Sequence, residues 1–225
     1  MKKNIVEKRY EIEWPGWSLK DNRYGKDFDA EARIRMIETG RKLLPYMLDY
    51  IDNLDKNYLE IGPFFTPLLF SEELTCLLPK DKCISFIDND KDVVKWLKER
   101  FDCNVLNLDM NVRTFPNELK QKNIDQFGVF EHFYDVITIS QILNYIDYKL
   151  LLKNMHPFLN EGGHIFINNV VDYGIPTLFS GKRPKSNQEI IGTAVSMGYK
   201  VALKEEIPKI FDEEQYQRLI LILTK

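Results

Sequence analysis

A chain of 225 residues, 44% of them hydrophobic, can bury one sizeable core, and two full domains would be cramped. Its 31 basic and 34 acidic residues leave a formal charge of −3 without a long basic stripe to hold a phosphate backbone, so nucleic acid is not an expected partner. Cys76, Cys83 and Cys103 fit neither a disulfide framework nor a metal knuckle, the first ten residues are charged, and no apolar run is long enough to cross a bilayer, so the expectation is a soluble cytoplasmic protein without metal or membrane contact.

The first 54 residues read as an extension. Trp14, Trp17 and Tyr24 lie in a segment without clear periodicity, where aromatic side chains can anchor the extension to the core. A helix beginning near Phe28 or Asp29 carries Ile34, Ile37, Leu44, Met47, Leu48 and Ile51 on one face. Gly40 and Pro45 interrupt its pattern, which predicts a kink or two consecutive helices.

Residues 55–225 read as one α/β domain. Apolar strand candidates at 58–61, 83–87, 104–108, 134–140, 164–168, 199–203 and 218–223 alternate with segments of helical period, the mark of βαβ units feeding a parallel sheet with both faces covered. Helices are expected over 91–101, with Asp90 as N-cap, and over 148–159, where the glycines of Asn160-Glu-Gly-Gly163 would close the helix and return the chain into the next strand. The short connection at 212–216 leaves little room for a crossover, so the last strand is expected to run antiparallel.

Polar residues gather at the ends of four consecutive strands. Glu60 and Gly62 follow the first, where a glycine lets a ligand approach the backbone and a carboxylate can accept from a cationic amino group. The other reading of that turn is a glycine and a carboxylate that only shape and cap it. Asp88, with Asn89 beside it, closes the second strand, where an ionised carboxylate can take both hydroxyls of a ribose. Asp109 and Met110 end the third, suited to an amino group and the face of an adenine ring. Ser140, Gln141 and Asn144 leave the fourth. His132, His156 and His164 are too dispersed to act together and read as structural, while residues 169–187 offer a further acceptor-side segment.

In this order the residues resemble the class I S-adenosylmethionine-dependent methyltransferase family over residues 56 to 224. The family's acidic, glycine-containing first motif is similar to Glu60-Ile-Gly-Pro-Phe-Phe-Thr-Pro67, its ribose acid falls on Asp88, its adenine acid on Asp109, and its fourth-strand motif on Asp135-Val-Ile-Thr-Ile-Ser-Gln-Ile-Leu-Asn-Tyr145. The resemblance implies a Rossmann-like, doubly wound, seven-stranded, mostly parallel sheet with an antiparallel last strand. It also implies S-adenosyl-L-methionine as cofactor, held by Glu60, Gly62, Pro63, Asp88, Asn89, Asp109, Met110, Ser140 and Gln141. The acceptor would be a small molecule methylated on oxygen or nitrogen by a monomer or homodimer, in a pocket including Trp17, Tyr24, Asn144 and Tyr145, with no catalytic residue assigned. The chain departs from the family at Pro63, Phe64 and Phe65, which stand where further glycines are usual. That departure keeps a non-catalytic binding module open as an alternative. A nicotinamide-dependent oxidoreductase is the remaining one, disfavoured because no further glycine appears before Gly128.

Overall fold

The computed structural model describes residues 25–50, 56–70, 84–128, 133–172, 183–212 and 214–225. Seven strands form one sheet: β1 (Tyr58–Ile61), β2 (Ile84–Asp88), β3 (Asn104–Asn107), β4 (Tyr134–Ser140), β5 (Leu159–Asn169), β6 (Lys200–Ile207) and β7 (Arg218–Thr224), in the order β3-β2-β1-β4-β5-β7-β6. Strands β1 to β5 pair in parallel, while β7 runs antiparallel between β5 and β6. The reversed last strand expected from the short 212–216 connection is therefore present. The helices are α1 (Gly25–Tyr50), α2 (Lys91–Arg100), α3 (Phe115–Phe127), α4 (Tyr148–Met155) and α5 (Asn187–Ser196).

Strand residues alternate between two buried clusters, one per face of the sheet. Leu59, Ile61, Ile137, Ile139, Ile165 and Ile167 pack on one side with α3, α4 and α5. Tyr58, Phe86, Val136, Phe166, Ile220 and Ile222 pack on the other with Leu43, Leu44 and Met47 of α1 and Val93, Val94, Trp96 and Leu97 of α2. A period of two places alternate residues on one face, so Glu60, Asp88, Ser140, Asn168 and Arg218 all belong to the α1 and α2 side. This parity assembles the site.

The N-terminal helix differs from expectation. Of its predicted apolar face, Ile37, Leu44 and Met47 are buried, Leu48 is half-buried, and Leu43 is buried as well; Ile51 and the side chain of Ile34 lie outside the described residues. The helix is continuous from Gly25 to Tyr50, with Pro45 exposed inside it, rather than split into two. Burial of Leu43, Leu44 and Met47 against the sheet supplies the stabilisation that offsets the hydrogen bond Pro45 lacks.

Local signals account for the helix starts. Asp90 accepts from the Asp92 and Val93 amides as the N-cap of α2, Asp147 accepts from Leu150 at α4, and Ser186 accepts from Glu189 at α5. Glu189 in turn accepts from the Lys185 amide at 2.8 Å and pairs with Lys149 at 2.9 Å, and these donors hold its carboxyl down at about 2. The Asn160–Gly163 turn is not where it was expected. α4 ends at Met155, a 3₁₀ turn covers His156–Phe158, and β5 has already begun at Leu159. Leu159 pairs with Tyr134 and His164 with Val136, so the glycines form a wide bulge inside the strand. A Cβ on Gly163 would come within 3.0 Å of the Asn160 and Asp135 carbonyl oxygens, and Asn160 Nδ2 donates to Asp135 Oδ1 at 2.7 Å across the bulge. Among the described residues β6 is an edge strand, and it carries exposed Lys200, Lys204, Glu205 and Glu206. Among the described residues no helix is long and apolar enough to cross a membrane.

Candidate functional site

A crevice opens at the carboxyl ends of β1 and β4, the rim where ligands of open α/β sheets lie. Glu60, Gly62, Pro63 and Ser140 line it, and α1 closes it with Met36 and Gly40.

Gly62 turns the chain out of β1 with φ of 64°, and its amide donates to the Ile87 carbonyl at 2.8 Å. A Cβ built there would lie 2.3 Å from Ile142 Cδ1, so a side chain at this position is opposed by both the backbone conformation and its neighbour. Glu60 is 3% exposed, and its two carboxylate oxygens accept from the Leu68 and Leu69 amides at 2.7 and 2.9 Å. It thus fastens the far end of the 63–70 turn beneath the crevice, which is the capping reading of this residue.

Asp88 is 6% exposed at the end of β2. Its Oδ1 accepts from the Asp90 amide at 2.9 Å and its Oδ2 from the Phe64 amide at 3.3 Å, which ties β2 to the turn after β1. Burial raises its carboxyl to about 6, against the lowering effect of these amide donors. Phe64 holds a left-handed backbone with φ of 50°, a conformation that disfavours side-chain-bearing residues. Its ring meets Phe65 at 4.5 Å, and Phe65 stands edge-on to Trp96 at 5.3 Å, so aromatic packing compensates the backbone cost.

The remaining predicted residues divide. Ser140 is half-buried in the crevice; Gln141 leaves β4 with φ of 64° and its amide donates to Asn168 O at 2.8 Å. Asn89 and Asp109 are exposed and do not line the crevice, and Asp109 Oδ1 accepts from the Asn111 amide at 2.9 Å. Met110 is 2% exposed and packs in the cluster with Leu106 and Phe115, so its side chain is committed to the core. Asn144 is buried, donates to Val170 O at 2.6 Å and accepts from Asn169, bracing the β4 exit against the β5 exit. Tyr145 is half-buried, and Trp17, Tyr24 and His132 lie outside the described residues. His156 packs on Tyr199 at 4.8 Å and His164 on Tyr50 at 5.0 Å, and neither histidine lines the crevice. Among the described residues no group of His, Cys, Asp and Glu is arranged to hold a metal ion.

Sequence reasoning passed over two residues on this face. Arg218 opens β7 fully buried, paired with a buried Glu214, and its Nη1 donates to Asn168 Oδ1 at 3.2 Å. Asn168 Nδ2 donates to the Thr39 carbonyl of α1. The available signal was a polar residue at the α1-facing parity of two otherwise apolar strands.

Compared with known proteins, the chain matches no protein-family model and no curated protein sequence. Solved structures do match. The N-methyltransferase NodS from Bradyrhizobium japonicum WM9 superposes with a TM-score of 0.57 at 16% identity, covering 84% of this chain and 94% of that one. A S-adenosylmethionine dependent methyltransferase from Mesorhizobium loti gives 0.55 at 13% identity, with 84% and 97% covered. The glycopeptide N-methyltransferase MtfA in complex with S-adenosyl-L-methionine gives 0.55 at 10%, with 83% and 93% covered. The protein therefore has the Rossmann-like fold of the S-adenosylmethionine-dependent methyltransferases, with the strand order and reversed β7 described above.

Proposed function

We propose that this protein is an S-adenosylmethionine-dependent methyltransferase that methylates oxygen or nitrogen of a small-molecule acceptor. The observation that carries the proposal is the position of the crevice: it lies at the carboxyl ends of β1 and β4, with a Cβ-less Gly62 on its wall and the buried carboxylate of Asp88 tied to the same turn. The residues suit the donor. The backbone of Gly62 and Pro63 together with Ser140 would surround its methionine portion, and Asp88, which retains lone pairs beyond its two amide donors, would accept from its ribose. Asn89, Asp109 and Gln141 would border the adenosine, with Met110 beneath it. Glu60 would act at one remove, through the turn it fastens.

The donor, once bound, supplies an activated methyl group on a cationic sulfur, so the protein's task is to orient the acceptor in line and exclude water. No general base is required for that task. Trp17, Tyr24 and Tyr145 would shape the acceptor pocket, and cytoplasmic action on a metabolite suits a chain with balanced charge and no basic stripe.

Titration calorimetry and thermal shift with S-adenosylmethionine and its demethylated product test the donor half. Saturable heat and a raised melting temperature are expected, and no response to either compound overturns the proposal. Transfer of labelled methyl to a panel of amines, phenols and sugars tests the acceptor half. A second reading, a binding module without turnover, draws on Phe64 standing in a glycine-like conformation and on both Asp88 oxygens already holding amides. Donor binding with no product across the panel would favour it. The nicotinamide alternative is disfavoured by β7, which lies antiparallel between β5 and β6 where a classical dinucleotide fold continues in parallel.

A further inference from the structure

We infer that Asn168, oriented by the buried Arg218–Glu214 pair, is a positioning residue that fixes α1 as the wall of the donor crevice. The inference rests on the donor-site reading above. It starts from a cost. An arginine and a glutamate whose side chains are both fully buried have each given up their hydration, and their mutual attraction alone repays this poorly. Such a pair specifies a geometry, and its hydrogen bonds show which one.

Glu214 has two carboxylate oxygens, and both are engaged: Oε1 takes the Arg218 guanidinium and Oε2 takes the Ile210 amide at 3.0 Å. The guanidinium, fixed by Glu214, donates to Asn168 Oδ1 at 3.2 Å. That contact settles the orientation of the Asn168 amide, because only its oxygen can face a guanidinium. The Nδ2 end is thereby turned towards α1, where it donates to the Thr39 carbonyl. Thr39 sits between Met36 and Gly40, the two α1 residues that line the crevice. The same Asn168 is the register partner of Ser140 on the crevice's opposite wall, and its carbonyl holds the Gln141 amide. Asn168 thus ties the helix wall, through its side chain, to the strand wall, through its carbonyl. Near the other end of α1, Tyr46 donates to Glu205 of β6 at 2.8 Å at an exposed site, where solvent weakens the hold.

The experiment separates positioning from stability. In Arg218→Met/Glu214→Leu the pair is replaced by apolar side chains of similar volume, so no lone buried charge remains and folding is retained. Asn168→Ala keeps the Arg218–Glu214 pair but removes the link to α1 together with one acceptor of the buried guanidinium. Both variants are expected to show faster amide hydrogen exchange over residues 36–44 than the wild type, without donor present. Both are expected to bind S-adenosylhomocysteine about five- to ten-fold more weakly, the equivalent of one lost hydrogen bond, even where the melting temperature is unchanged. A purely structural role predicts the opposite pattern, with affinity following melting temperature.

Wild-type exchange over 36–44 in either folded variant overturns the inference. So does faster exchange with unaltered affinity, since the wall would then be irrelevant to the donor. A wild-type chain that binds no donor removes the proposed function instead, and the exchange data alone then decide whether Asn168 anchors the helix. Should the double variant fail to fold, Asn168→Ala carries the same two readouts.

Discussion

Replacing Gly62 by alanine tests the turn after β1, and the expected loss has two separable parts. The first is conformational: an L-residue held at φ of 64° costs about 1–2 kcal/mol relative to glycine. The second is steric, because the new methyl would sit 2.3 Å from Ile142 Cδ1. Ile142 is half-buried and the clashing atom is its terminal methyl, so it can rotate away for about 1 kcal/mol, the low end of overpacking costs. Gly62→Ala should therefore destabilise by about 2–3 kcal/mol, lowering the melting temperature by roughly 5–10 °C for a domain of this size. Ile142→Val removes the clashing methyl and costs roughly 0.5–1 kcal/mol by itself. In the double variant the steric part should vanish, giving a favourable coupling of about 1 kcal/mol while the conformational part persists. Urea denaturation of the wild type, both single variants and the double variant completes the cycle. A Gly62→Ala cost under about 0.5 kcal/mol, or zero coupling with Ile142, would refute the account of why glycine stands there.

The Asp88 carboxyl titrates at about 6 when folded and near 3.8 when unfolded, so between these values the native state binds the extra proton. Its contribution to stability is full below about pH 4 and is lost as pH rises through 6, by up to about 3 kcal/mol, and Asp88→Asn should flatten that segment of a stability profile measured by denaturant titration. Donor affinity should run the other way, weakening below pH 6 as the carboxylate protonates, which calorimetry at a series of pH values would detect. Glu60→Gln leaves one of two buried amides facing an NH₂ group, and a loss of about 1–3 kcal/mol is expected in chemical unfolding. Phe64→Gly trades relief of a left-handed backbone against lost ring packing on Phe65, so stability should change by less than about 1 kcal/mol, and a larger loss by thermal unfolding would mean the ring is a core element.

Most of the sheet was legible because most strands are apolar runs bounded by breakers; β4 matches its expected limits of 134–140 and β1 its limits of 58–61. The β5 start was misplaced because paired glycines signal a turn and a bulge with the same residues, and the pairing partner that decides between them is distant in sequence. α3 and α5 went unread since each buries only three residues, Phe115, Leu119 and Asn123 in one and Asn187, Ile190 and Ala194 in the other, too sparse a stripe to show as a period. At the site, the strand ends bring Glu60, Gly62 and Ser140 to one crevice and tie Asp88 to the turn after β1, while Asp109 stands outside it. The hydrogen-bond geometry was not legible: that Glu60 holds the Leu68 and Leu69 amides, and that Met110 packs with Leu106 and Phe115, depends on how the chain folds back after β1 and β3. Asn168 and Arg218 matter only through each other, a relation between strands that are not adjacent in the chain.

The charged margin of β6 limits how two copies of this protein can meet. Joining their sheets edge to edge would force Lys200, Lys204, Glu205 and Glu206 of each copy into a shared seam, stripping water from eight ionised groups to gain a few main-chain bonds. A self-association built that way is unfavourable, and it would also disturb the Tyr46–Glu205 contact that holds the end of α1. The opposite margin of the sheet, β3, carries no charged side chain, so the constraint applies to the β6 margin alone.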